Sequence, residues 1–254
     1  MGEAESKNES ESGGMFYERL NLPENEKRLY QISFYIKDKI DSFAEELVKK
    51  LPESPEGFKF KDCIERVKVI WPEFGGEMEE VKPDFLLPKD ILPPEVNVVV
   101  RFERKASEIG KFENDVTIRL PLEPFMKARS EQEIKDAALL ILQVVFHEVE
   151  HLEFFGSDIG DIGDKEELIK YLCDPGEVRA HAKQFAFWYT QEFPGKKFDI
   201  ESMESVCDKS PLAKNYFIGF AKDEVKKKYA SVDVVATHKE IINLTDKFVS
   251  EMIS

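Results

Sequence analysis

Histidine is scarce in this chain: there are four in 254 residues, beside three cysteines and two tryptophans. Cys63, Cys173 and Cys207 are odd in number, widely spaced and never in a Cys-x-x-Cys pair, which excludes a disulfide framework and a cysteine-rich zinc site. They read as ordinary reduced thiols, mostly buried. No apolar run reaches the roughly 18 residues that span a bilayer, and the first residues lack the basic-then-apolar order of a secretory signal. A soluble, cytoplasmic protein without a membrane partner is therefore expected. Positive charge is also in short supply, with 36 Lys plus Arg against 51 Asp plus Glu and a formal net charge of -15. A field of that sign repels phosphate backbones, so nucleic acid is not an expected partner.

What the chain does have is apolar material, 42% hydrophobic and 11% aromatic, enough for a globular core. Residues 1–14 are the exception. They hold almost nothing to bury and are expected as a disordered acidic tail. From Met15 to Leu51 the apolar positions Ile32, Ile36, Ile40, Phe43 and Leu47 recur at helical spacing, predicting a long amphipathic helix that stops near Pro52. Residues 58–71 fit either a strand or a short helix. Val96–Phe102 and Val116–Leu120 are β-branched or alternating and are expected as an antiparallel pair of strands.

Ser130 stands three positions before Glu133, the order of a capping box, and a helical pattern runs from there through His151. Its stretch Ala137–Phe146 is apolar on nearly every face, so this helix is expected to be central. A loop carrying Asp158, Asp161 and Asp164 follows, then a short helix at Lys165–Leu172. Asp174, Pro175 and Glu177 mark the start of another helix, with Asp174 as its cap. The last sixty residues read as two helices, around Pro211–Tyr229 and Val232–Ile253. The expected organisation is a tail at 1–14, a helical region at 15–94, a catalytic core at 95–195 and C-terminal helices at 196–254.

His147 and His151 lie four apart on the central helix, so both imidazoles project from one face and reach a single ion at the roughly 2.0–2.1 Å expected for zinc. Glu148, next to the first histidine, is placed to take a proton from water beside that ion. Such groups are costly to bury unpaired, by several kcal/mol each on an order-of-magnitude scale, and a divalent cation removes most of that penalty. A catalytic zinc needs a third protein ligand. Glu177, at the start of a separate helix, is the leading candidate; His181 one turn on, and Asp158 or Asp161, are the alternatives. Tyr171 and His181 are candidates for stabilising the oxyanion that amide hydrolysis develops.

The run His147-Glu148-Val149-Glu150-His151, followed by Glu177-Val178-Arg179-Ala180, resembles the gluzincin group of zinc peptidases. The stretch Tyr171 to Ala180 also resembles the Tyr…Pro-x-Glu-x-x-Ala segment of small, largely uncharacterised HExxH proteins. This resemblance covers roughly residues 95–190. It implies Glu177 as third ligand, Ala180 as a small packing residue, and a strand edge ahead of the HExxH helix that aligns an extended peptide, for which Val116–Leu120 is the candidate. It departs from the thermolysin-like pattern at position 181, where His stands in place of Asp.

The expected whole is an α+β, zincin-like fold: a small antiparallel sheet over a central HExxH helix, mostly helical, with additional N- and C-terminal helices. The expected function is that of a zinc-dependent metallopeptidase acting on a peptide or protein substrate. The alternative is a catalytically inactive zincin-like binding or assembly protein with a structural zinc.

Overall fold

The computed structural model describes residues 24–71, 84–92, 97–104, 109–112, 115–152, 165–229 and 232–253. The expected tail at 1–14 and the aspartate loop with Asp158, Asp161 and Asp164 lie outside the described residues.

The first helix, α1 (Glu24–Lys50), buries Leu29, Ile32, Ile36, Ile40, Phe43 and Leu47, a stripe at three- and four-residue spacing. It ends where Pro52 follows, in a single tight turn at Leu51–Glu53. The ambiguous stretch that follows is helical: α2 (Phe60–Ile70) buries Cys63, Ile64 and Val67, and Trp71 at its end packs edge-on against Phe102.

Four short strands make one mixed sheet, β1 (Asp84–Leu86), β2 (Asn97–Glu103), β3 (Ile109–Phe112) and β4 (Asp115–Pro121), in the order β1-β2-β4-β3. The two strands expected from the sequence do pair, with Val98 opposite Val116 and Val100 opposite Ile118, but they run parallel and not antiparallel. The reason is β3. It runs back along the outer side of β4, so the chain returns beside β2 in the direction in which it left. β4 is consequently internal, and the expectation that it offers a free edge to a peptide is corrected: the edges of this sheet are β1 and β3. Along β2 burial alternates residue by residue, placing Val98, Val100 and Phe102 in the core beside Ile118 and Leu120 of β4.

After a short helix α3 (Glu123–Lys127) comes the central helix α4 (Glu131–Glu150). The Ser130 side chain accepts from the Glu133 backbone N–H, and the Glu133 carboxylate turns back onto the Arg129 N–H, so the first turn of α4 is capped from both sides. α4 is not covered all round, since Leu140 remains 48% exposed. Next come α5 (Lys165–Leu172) and α6 (Pro175–Glu192), both at the expected positions. Asp174 caps α6 by accepting from the N–H groups of Gly176 and Glu177.

The C-terminal region departs from the two helices expected. It consists of α7 (Met203–Lys209), α8 (Pro211–Lys214), a π turn at Asn215–Gly219, α9 (Asp223–Lys228) and a long α10 (Val234–Ile253). The π turn carries the neighbouring residues Tyr216 and Phe217, both buried. One core lies between the sheet, α1, α2 and α4; a second gathers α6, the π turn and α10. Phe146 of α4 stacks on Phe187 of α6, with ring centroids 4.3 Å apart, and fixes these two helices against each other. The molecule is thus α+β and mostly helical. Among the described residues, no helix is long and apolar enough to cross a membrane.

Candidate metal centre

Two helix ends meet at the site. The last turn of α4 brings His147, Glu148 and His151; the first two turns of α6 bring Glu177 and His181. All five side chains are buried. The His147 and His151 Nε2 atoms are 3.1 Å apart, and Glu177 spans them, with Oε2 3.6 Å from His147 Nε2 and Oε1 3.4 Å from His151 Nε2. Two donors held tetrahedrally by one ion at bonds of about 2.0–2.2 Å lie about 3.3–3.6 Å apart, and these three distances are close to that. Among the described residues, His147, His151 and Glu177 form a buried group that can hold a metal ion.

A second observation favours occupancy. Glu177 Oε2, His147 Nδ1 and His181 Nε2 are buried polar atoms without a hydrogen-bond partner among the described residues. Leaving such an atom unsatisfied costs about 1–3 kcal/mol, more where it is charged. The Glu177 Oε2, which faces the His147 Nε2, is accounted for by a cation that takes lone pairs from both.

The electrostatics are those of a site kept deprotonated. Burial, with His181 and His151 close by, pushes the His147 pKa well below its ordinary value. Burial likewise brings His181 down to about 4, against the opposing pull of Gln184 and Glu177. Burial alone would raise the Glu177 pKa, yet hydrogen bonds from His151 and Tyr171 outweigh it and hold the carboxyl below the usual range. All three groups are therefore ready to give lone pairs near neutral pH, as metal ligands must.

Tyr171, at the end of α5, gives its hydroxyl to the Glu177 carboxylate; burial, Glu177 and the nearby charge of Glu148 all push its pKa up. In this arrangement the hydroxyl orients a ligand. His181 Nδ1 lies 3.0 Å from Gln184 Oε1, an atom that only accepts, so Nδ1 carries the proton and Nε2 is left with its lone pair. That tautomer does not donate to an oxyanion from Nε2. Asp158 and Asp161, the other candidate ligands, lie outside the described residues. His238 is on α10, its Nε2 3.3 Å from the Phe217 carbonyl, and takes no part.

Four further residues support the site without having stood out in the sequence. Glu150, fully buried on α4, accepts from Arg179 Nε at 2.8 Å and pairs with Lys183, both on α6. Arg179 also reaches Glu26 of α1 at 3.1 Å. Tyr216 donates to the Leu172 carbonyl at 2.8 Å, and its ring lies 5.4 Å from that of His181. The alternation of Glu150 with Arg179 and Lys183 on two apolar helices was a signal available in the sequence; the approach of Tyr216 was not, because it depends on the π turn. Ala180 is fully buried.

The chain matches no known protein-family model, no curated protein and no solved structure.

Proposed function

We propose that the chain is a metal-dependent hydrolase and, within that class, a zinc metallopeptidase with a zincin-like core. The observation that carries this reading is the convergence of His147, His151 and Glu177 from two helices onto one buried point, with Glu148 beside them. Two imidazoles and a carboxylate are a donor set suited to catalytic zinc. When bound there, zinc would supply Lewis acidity, polarising a carbonyl oxygen and bringing the pKa of a bound water to about 7.

The chain's own residues would do the rest. Glu148, adjacent to His147 and buried, takes the proton of the attacking water and returns it to the leaving amine. Tyr171 fixes the Glu177 carboxylate in the orientation that meets both imidazoles. The substrate would be a peptide or protein segment, aligned on a sheet edge other than β4.

One observation favours the second reading, an inactive zincin-like binding or assembly protein with a structural zinc: a further imidazole, His181, is buried beside one of the three ligands, its Nε2 3.8 Å from Glu177 Oε2. A purified wild-type chain and its Glu148→Gln variant, both loaded with zinc and given a broad peptide library, separate the two. Cleavage by the wild type and its loss in the variant, at unchanged zinc content, supports the peptidase. A wild type that holds zinc and cleaves nothing supports the structural reading.

A further inference from the structure

Glu177 enters the metal centre from a short joint, in which Cys173 and Asp174 alone separate α5 from α6. The α6 side of this joint is pinned by Asp174, whose carboxylate accepts from the N–H groups of Gly176 and Glu177. The α5 side lacks that help. Carbonyls in the last turn of a helix have no partner within it. For Leu172 the two nearest backbone donors further along the chain are also spent: position 175 is a proline without an N–H, and the Gly176 N–H is turned to Asp174.

The donor comes instead from the π turn. The Tyr216 hydroxyl donates to the Leu172 carbonyl at 2.8 Å, and both residues are buried. Burial and the nearby charge of Glu177 push the Tyr216 pKa up, so the hydroxyl keeps the proton that it gives. Its ring is held edge-on by Phe185 of α6, with centroids 5.8 Å apart, and by Phe220 at 5.4 Å. Leu172 directly follows Tyr171, whose hydroxyl is hydrogen-bonded to the Glu177 carboxylate. A displacement of the Leu172 carbonyl is therefore passed to Tyr171 and from there to Glu177.

We propose that Tyr216 is a positioning residue of the metal centre: by holding the Leu172 carbonyl it fixes the end of α5 and, through Tyr171, the orientation of the Glu177 carboxylate. The inference rests on the metal-centre part of the function proposed above and not on peptidase activity. Its specific content is the route, which makes the effects of Tyr216 and Tyr171 one effect and not two.

Zinc affinity by chelator competition is compared in the wild type, Tyr216→Phe, Tyr171→Phe and the double variant. Tyr216→Phe is expected to weaken binding by about three- to tenfold, and the double variant to bind no more weakly than Tyr171→Phe alone. With cobalt(II) in place of zinc, the visible bands at saturation report ligand geometry. They are expected to shift in Tyr216→Phe in the same direction as in Tyr171→Phe. Wild-type bands in Tyr216→Phe, or losses of affinity that multiply in the double variant, would overturn the proposal while leaving the metal centre standing. A wild type that binds neither ion removes the centre itself, a different failure.

Leu172 is the only leucine in the chain followed directly by cysteine, so carbon-13 carbonyl leucine with nitrogen-15 cysteine gives one NMR signal for this carbonyl in the native protein. Coupling between sites is reciprocal, so uptake of zinc is expected to move that signal. An unmoved signal in protein that has taken up zinc overturns the proposal even where Tyr216→Phe does not fold.

Discussion

Arg179 Nε lies 2.8 Å from Glu150 Oε2, inside the molecule, and ties the end of the central helix to the helix that carries Glu177. Lys183 joins the same carboxylate from one turn further along, with its ammonium 4.0 Å from the centre of the Tyr30 ring, whose hydroxyl in turn donates to Glu251. Through Arg179, Glu150 belongs to a charge network that continues to Glu26 of α1 and from there to Lys247 of α10. Removing one partner of a buried pair leaves the other uncompensated, at about 3–5 kcal/mol. Glu150→Ala is expected to destabilise the protein by that order, read from urea unfolding; a change below about 1 kcal/mol would show that the contact behaves like a surface pair.

Acid should loosen the metal-free protein. The folded His181 has a pKa of about 4 against an ordinary 6.5, so between these values the unfolded chain binds the proton more readily. Stability is full above pH 6.5 and declines as the pH falls toward 4, by on the order of 3 kcal/mol from this group. His147, also depressed by burial, acts in the same direction. Urea unfolding of the metal-free chain at pH 7.5 and at pH 5 is the measurement, and His181→Asn should flatten the difference. Equal stability at the two pH values in the wild type would contradict the arrangement.

Two helix caps offer a matched pair. Ser130→Ala and Asp174→Ala should each cost about 1 kcal/mol of stability, because each removes an acceptor for backbone N–H groups in the first turn. Their effects on zinc binding should differ. Ser130 lies at the far end of α4 from the histidines, whereas Asp174 accepts directly from the Glu177 N–H at 3.3 Å. Weaker zinc binding in Asp174→Ala alone, by chelator competition, is the expected outcome; equal weakening in both would mean that helix stability, and not the placing of Glu177, governs affinity.

Tyr171→Phe removes the hydroxyl that orients Glu177 and leaves the ring. Partners of metal ligands are worth about 10–100-fold in affinity. A loss of about tenfold in zinc affinity with unchanged thermal stability is expected, and no loss would assign Tyr171 to packing.

The helices were legible where local chemistry marks them: Ser130 with Glu133 opens α4, and Asp174 with Pro175 opens α6. The pairing of His147, His151 and Glu177 was legible too, since four-residue spacing puts the histidines on one face and the capped start of α6 brings the glutamate in. The direction of β2 against β4 was not, because it is decided by a third strand, β3, with no strong pattern of its own. The break in the helix expected at Pro211–Tyr229 was equally hidden. Tyr216 and Phe217 in the π turn pack on Phe185 of α6, a contact between segments far apart in sequence. The tautomer of His181 also depends on folding, through its contact with Gln184.

The central claim is that His147, His151 and Glu177 hold one metal ion. Elemental analysis of the purified chain, saturated with zinc and then dialysed against a weak chelator, tests it most directly beside the His147→Ala variant. One zinc per wild-type chain and almost none in the variant is the predicted result; an empty wild type, or a variant that keeps its full zinc, would contradict it.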